Sequence, residues 1–213
     1  MKKQFAKLSA VLVLITLAVT AQGQEKVWSL GPEIGVNFSK YGRDATDNDF
    51  KPGILGGLFA TYSVNKAYAV TGKLLFSQKG TQYTIANTPV KVTTNYIEIP
   101  IIGRYFLVQE GAFRPNVFLG PSLGFLTGVS SKAGSGDYQK VPNYKDSYNT
   151  FDFGITGGIG FNYEVADDIR VLIDARYTYG LSDVTKSPSP NVNDPNINNM
   201  TIGLTAGVSF GIN

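Results

Sequence analysis

The chain has 213 residues, of which 43% are hydrophobic and 16% are charged, and it contains neither Cys nor His. This composition excludes a disulfide framework, thiolate or imidazole metal sites, and any nucleophile that depends on Cys or His. The formal net charge is +3, from 19 basic and 16 acidic residues, and the length favours a single folded domain.

The first 23 residues predict a secretory signal peptide. Three lysines precede an apolar stretch over 8–19, and Ala21 and Gly23 are the small residues that a signal peptidase requires. The apolar stretch is shorter than the roughly 20 residues that a spanning helix needs. We therefore expect cleavage between Gly23 and Gln24, which leaves residues 24–213 as the mature domain.

The basic character of the chain belongs to this leader. Removing its three lysines from the 19 basic residues leaves 16, which equals the 16 acidic residues. A mature chain of zero net charge gives no reason to expect nucleic acid as a partner.

The mature chain alternates apolar and polar residues with a period of two, which predicts β-strands almost throughout. In chain order the predicted strands cover residues 29–39, 53–64, 67–80, 95–107, 114–127, 150–165, 169–181 and 199–212. Each has about 11–16 residues, longer than the usual soluble strand of about 5–6 and sufficient for a tilted strand to cross a bilayer.

The connections between these strands alternate in length. Those near Asn65, Glu110 and Asp167 are short, whereas those at 40–52, 81–94, 128–149 and 182–198 are long and polar. An even number of strands with short turns on one side and long loops on the other is typical of outer membrane barrels. The sequence thus predicts an all-β fold, an eight-stranded antiparallel transmembrane β-barrel with short periplasmic turns and long external loops.

The two faces of the predicted strands differ in character. One face is almost continuously aliphatic and aromatic, as contact with lipid requires, whereas the other carries Gly, Ser and Thr with equal numbers of acids and bases. A soluble barrel, with the apolar face inward, is the alternative. In the transmembrane barrel the second face lines the lumen, where buried ions must be paired. The predicted lumen charges are Glu33, Lys73, Lys79, Glu98, Arg104, Asp152, Glu164, Arg170, Asp174 and Arg176.

Several strands resemble those of a known family. The stretch Asn95–Tyr105 reads NYIEIPIIGRY and is similar to the YxEIPLLxKY strand of PorT-like outer membrane β-barrel proteins of Bacteroidetes. Residues 115–124, 152–158 and 174–183 resemble later strands of that family in the expected order. The resemblance implies an eight-stranded barrel, and one branch of the family is attached to type IX protein secretion and gliding.

Two motifs have a chemical interpretation and a simpler structural one. Residues 120–124 match the G-x-S-x-G nucleophile motif, but Ser122 falls in the middle of a predicted strand and no His exists to activate it. The loop from Asp44 to Asp49 carries three acids without the order of residues found in an EF-hand, so a solvated loop is favoured over a calcium site.

We therefore expect a non-enzymatic integral protein of the cell outer membrane, with no catalytic, cofactor or metal site. Its lumen would be plugged by paired charges, since eight strands leave room for little more than side chains. The expected partners are outer membrane lipid and proteins that contact the external loops or the periplasmic rim of a monomeric barrel. A PorT-like role in secretion or gliding, and a narrow channel or transporter, are the alternatives.

The barrel prediction is tested by gel mobility. A folded barrel in detergent should migrate differently from the boiled protein, and the difference should vanish on unfolding. A protein that instead stays soluble in the periplasm without detergent would show that the two faces are assigned the wrong way round.

Overall fold

The computed structural model describes residues 27–45, 47–186 and 196–212. The predicted signal peptide and its cleavage site lie outside these residues. The strands, numbered in chain order, are β1 Val27–Arg43, β2 Lys51–Ser63, β3 Tyr68–Ile85, β4 Thr88–Phe106, β5 Phe113–Ala133, β6 Gln139–Lys140, β7 Phe151–Ala166, β8 Ile169–Gly180 and β9 Ile197–Ile212. A single turn of 3₁₀-helix covers Tyr144–Asp146.

Eight long strands form a closed antiparallel barrel. Each pairs with the next long strand along the chain, and β1 pairs with β9 to close the ring. The short strand β6 stands outside the ring and pairs only with β5. The predicted eight-stranded all-β barrel is therefore confirmed. Within the part of the chain that is described, no helix has the length and apolar character needed to cross a membrane.

The outward face of the barrel is apolar, as the alternation of residues predicts. Ile34, Leu119 and Ile159 each expose more than 60% of their surface, although such residues are usually buried in soluble proteins. Aromatic pairs lie at both ends of this apolar belt, with Phe125 and Phe151 at one end and Tyr68 and Tyr105 at the other. This arrangement matches the aromatic girdles of a barrel surrounded by lipid.

The inward face is more mixed than the sequence pattern predicts. Besides the small and charged residues, this face buries large apolar side chains. The alternation of apolar and polar residues alone does not predict them. Leu75 and Ile102 are almost completely inaccessible, and further buried inward residues of this kind include Leu55, Phe59, Phe106, Phe118 and Leu172. The lumen is therefore filled by side chains rather than lined by small ones.

The prediction of a long loop at 81–94 is wrong. β3 and β4 continue through this segment as a paired hairpin, joined only by the two residues Ala86 and Asn87. The segment is polar on its outer face because it extends past the apolar belt, and that polarity resembles the polarity of a loop. β5 likewise runs on to Ala133, so part of the third predicted loop is also strand. We call the end of the barrel that carries these extensions the external end.

The turn between β3 and β4 supplies a test of this hairpin. Ala86 and Asn87 both have positive φ angles, 45° and 64°, as a two-residue hairpin turn requires. Alanine is strained there, so Ala86→Gly should raise the free energy of unfolding by about 0.5 kcal/mol, measured by denaturant unfolding in lipid vesicles. Ala133→Gly, on the neighbouring strand, is the control and should lower it. Loss of stability in Ala86→Gly would argue against the tight turn.

Candidate functional site

Two clusters of charged side chains cross the lumen of the barrel. Eight of the ten predicted lumen charges belong to them, four to each cluster, and all eight are at most 5% exposed. Each cluster holds two acids and two bases and is therefore neutral. Because the low dielectric of a barrel interior makes an unpaired ion costly, this balance is a condition for folding.

The first cluster lies towards the periplasmic end and joins β1, β3, β4 and β8. The Lys73 ammonium donates to Glu33 Oε2 at 2.7 Å and to Asp174 Oδ2 at 3.1 Å. The Arg104 guanidinium bonds Asp174 with two nitrogens, at 2.9 Å to Oδ1 and 2.5 Å to Oδ2. A bidentate pair of this kind is among the strongest charged hydrogen-bond arrangements in proteins.

Neutral side chains complete the environment of Arg104. Its guanidinium also donates to Asn116 Oδ1 at 2.8 Å and to Thr71 Oγ1 at 3.2 Å, and it lies 4.8 Å from the centre of the Phe118 ring. Gly160 provides the space for the opposing acid, since a Cβ atom there would collide with Asp174 Oδ1. Each nitrogen of this guanidinium therefore has a hydrogen-bond partner.

The second cluster lies towards the external end and joins β3, β4, β7 and β8. Glu98 lies 3.7 Å from Lys79 and 3.4 Å from Arg176, and Asp152 lies 3.5 Å from Lys79. These contacts are longer than those of the first cluster. The two remaining nitrogens of Arg176, Nε and Nη1, have no hydrogen-bond partner among the described residues.

Polar side chains that the sequence analysis did not single out hold the acids of this cluster. Ser122 donates to Glu98 Oε1 at 2.9 Å, Asn199 donates to Asp152 Oδ2 at 2.8 Å, and Ser182 donates to Asp152 Oδ1 at 3.0 Å. Ser122 is the serine of the G-x-S-x-G match. It lies buried in the middle of β5, where its hydroxyl is a structural donor.

Glu164 and Arg170, which the sequence analysis placed with the lumen charges, form a separate pair. They face each other across the short turn between β7 and β8, with Arg170 Nη2 donating to Glu164 Oε2 at 2.7 Å. Their side chains are 38% and 27% exposed, so the pair lies at the periplasmic rim and takes no part in either cluster.

Buried apolar side chains lie between the two clusters on two of the strands, whereas on β8 Asp174 and Arg176 are successive inward residues. Along β3, Leu75 lies between Lys73 and Lys79, and along β4, Ile102 lies between Glu98 and Arg104. Both apolar side chains are at most 1% exposed. A solute or ion moving through the barrel would have to pass both clusters of paired charges and these apolar side chains.

Aromatic and aliphatic side chains also cover the external end of the lumen. Val92, Tyr96, Leu126 and Val129 form a buried cluster, and the residues that pack against it from the hairpin and the loop after β6 are Tyr83, Val141, Tyr144 and Tyr148. Burial raises the pKa of the Tyr148 hydroxyl, which keeps the phenol neutral at this position. The loops thus add a cover to the filled lumen.

Asp44 and Asn48, from the acidic loop of the sequence analysis, are held by hydrogen bonds to the protein. Asp44 accepts from the backbone N–H of Asn196 at 2.8 Å, and the Asn48 side chain accepts from the N–H of Tyr41 and from the Thr81 hydroxyl. Throughout the described ranges, no group of three or more acidic side chains has the arrangement needed to hold a metal ion.

Comparison with known proteins points in one direction. A family model described as an outer membrane protein beta-barrel domain matches residues 20–186. The structure of OprG from Pseudomonas aeruginosa is similar at 13% identity and a TM-score of 0.50, over 88% of this chain and 96% of OprG. A major outer membrane protein of Thermus thermophilus is similar at 12% identity and a TM-score of 0.51, over 89% of this chain and 100% of that protein. At these identities the likeness shows the fold alone. No curated protein sequence matches the chain.

The difference between the two clusters predicts different consequences of removing their arginines. Arg104→Ala leaves Asp174 short of its main partner and should cost about 3–5 kcal/mol of unfolding free energy. Arg176→Ala removes a single longer contact and should cost less, about 1–3 kcal/mol. Denaturant unfolding in lipid vesicles measures both.

A double variant separates loss of pairing from loss of packing. Arg104→Ala combined with Asp174→Ala leaves Lys73 paired with Glu33, and the first cluster is again neutral. We expect the double variant to be more stable than Arg104→Ala alone. Additive losses from the two substitutions would show that charge balance does not govern this part of the lumen.

Proposed function

The chain belongs to the outer membrane protein β-barrel domain family and resides in the outer membrane, and on this premise we propose that it acts without catalysis as a closed barrel. In this proposal the membrane-spanning part anchors the protein, and the external strands and loops bind other molecules. The observation that carries the proposal is the pair of neutral charge clusters across a lumen already filled by apolar side chains.

The side-chain chemistry supports a role without catalysis. The full sequence has no His or Cys to activate a nucleophile, and the serine in the nucleophile-like motif donates its hydrogen bond to a buried carboxylate. That carboxylate, Glu98, is in turn held by the bases of its own cluster rather than directed at an open cleft.

The filled lumen argues against a channel or transporter. Open aqueous pores in outer membrane barrels need about 16 strands, whereas eight strands enclose space for little more than side chains. In this chain that space holds Leu75, Ile102 and Tyr96 as well as the charges. Removing one arginine leaves these apolar side chains in place, so it should destabilise the barrel without opening it.

Planar bilayer recording tests the closed lumen. The wild-type protein should give no large and stable single-channel current, and neither should Arg104→Ala nor Arg176→Ala. A porin inserted under the same conditions is the control for the recording, and heat-dependent gel mobility confirms that each variant has folded. A large, stable current from the wild-type protein would overturn the closed-barrel proposal in favour of a channel.

The resemblance of β4 to the PorT-like strand supports a second candidate, a component of a secretion or gliding assembly. Native purification separates the two candidates. An affinity tag inserted between Gly134 and Asp137, in the exposed turn after β5, leaves the barrel strands intact. Partners recovered in fixed ratio after extraction in mild detergent would favour an assembly, and recovery of the barrel alone would favour a stand-alone protein.

A further inference from the structure

Three lysines lie together on the outer face of the external sheet. Beyond the apolar belt, β3, β4, β5 and β6 continue as a four-stranded sheet whose inner face covers the lumen. On its outer face Lys91 of β4 stands directly opposite Lys132 of β5. Lys140 of β6 is paired with Ser130, two residues from Lys132, and lies on the same face. We call these three residues the lysine face.

The lysine face places two like charges directly opposite each other in an antiparallel strand pair. Like charges directly opposite each other in an antiparallel pair are destabilising. None of the ion pairs found among the described residues involves Lys91, Lys132 or Lys140. The lumen of the same protein pairs all eight charges of its two clusters, whereas these three lysines share one face without an acid in ion-pair contact.

An exposed aromatic ring lies beside the lysine face. The Lys132 ammonium lies 5.8 Å from the centre of the Tyr138 ring, and half of the surface of this tyrosine is exposed. A flat aromatic ring beside a row of cations is a suitable contact for a ligand with both anionic and apolar surfaces.

The height of the face above the membrane decides which ligand can reach it. Ile97 is the last apolar outward residue of β4, and Lys91 lies six residues beyond it. Six residues of a tilted strand rise about 15 Å along the barrel axis. The polar headgroup region is only about 5–8 Å deep on each side of a bilayer, so Lys91 and Lys132 stand beyond the headgroups of the surrounding lipid.

We infer that Lys91, Lys132 and Lys140 form a binding site for an acidic polysaccharide outside the cell. The charge of the face selects an anion, its position on strands that project past the headgroups selects a ligand from the extracellular side, and its extent over three strands suits a chain bearing repeated anionic groups. This inference rests on the proposed function, because it names the chemistry that the external sheet contacts.

The test measures binding to the protein reconstituted in nanodiscs of uncharged phosphatidylcholine. Fluorescently labelled dextran sulfate is the probe, and labelled uncharged dextran is the matched ligand. We expect dextran sulfate to bind and uncharged dextran not to bind, with affinity falling as salt is raised. The triple variant Lys91→Gln, Lys132→Gln and Lys140→Gln should bind about tenfold or more weakly, as expected for the loss of three charges that face water.

A second triple variant controls for net charge. Lys40→Gln, Lys145→Gln and Lys186→Gln removes the same charge from the external end without touching the lysine face, and its affinity should stay within about twofold of wild type. Stability provides an independent readout. Lys91→Gln relieves the repulsion across the strands, so its resistance to denaturant should be unchanged or higher while its binding falls.

Several results of these binding measurements would overturn the inference. Equal loss of binding in both triple variants would assign the effect to net charge and overturn the inference, as would wild-type binding to uncharged dextran. Binding that appears only when phosphatidylglycerol replaces phosphatidylcholine in the disc would assign the lysines to lipid headgroups and overturn it as well. Each result is separate from the conductance test, so a closed barrel that fails to bind dextran sulfate would refute this inference alone.

Discussion

The structure depends on the requirement that charges removed from water must be paired. The eight ionic side chains of the two clusters are buried in the lumen, and each has an oppositely charged partner because acids and bases from several strands meet across the interior. The bidentate contact between Arg104 and Asp174 links β4 to β8, which are not neighbours in the ring. Backbone hydrogen bonds join adjacent strands, and the charge clusters add bonds across the barrel. A strand in the wrong register would leave an unpaired ion in a medium of low dielectric.

The distribution of apolar surface follows from the same environment. In lipid there is no penalty for exposing leucine or isoleucine outward, and the barrel does so around its whole circumference. Backbone donors and acceptors must instead be satisfied within the protein, which the closed ring achieves without an edge. Large apolar side chains also occur inside, where they fill the space that the charge clusters leave, and together they close the lumen.

The external end obeys a different constraint. Once β3, β4 and β5 pass the headgroups, their outer faces meet water, and polar residues replace the apolar alternation. The inner faces of the same strands keep apolar and tyrosine side chains, which bury one another over the mouth of the barrel. One sheet thus serves as a cover for the lumen on one side and as an exposed basic surface on the other. Water and dissolved salt weaken the repulsion between its lysines, so the exposed side carries unpaired charge at a smaller cost than the lumen would.

The sequence by itself determined the barrel, because the features that identify its strands lie within short stretches of the chain. Alternation with a period of two marked the strands, the length of the strands indicated a membrane, and parity along each strand placed Glu98, Arg104, Asp174 and Arg176 on the inward face. Parity cannot say which inward residues meet, since pairing depends on how the strands are staggered around a closed ring. Only the tertiary structure divided the charges into two neutral clusters and placed Glu164 with Arg170 at the rim.

Polarity was misleading at one segment of the sequence. Residues 81–94 have no apolar outward face, and such a stretch looks like a loop until its position beyond the lipid is known. The lysine face was hidden for a related reason, because Lys91 and Lys132 are 41 positions apart in sequence and are opposed only through the register of β4 and β5. Local pattern decided which face each side chain occupies. The stagger of the strands decided which side chains contact each other, and the boundary of the membrane decided which of them face lipid and which face water. Both are properties of the whole barrel.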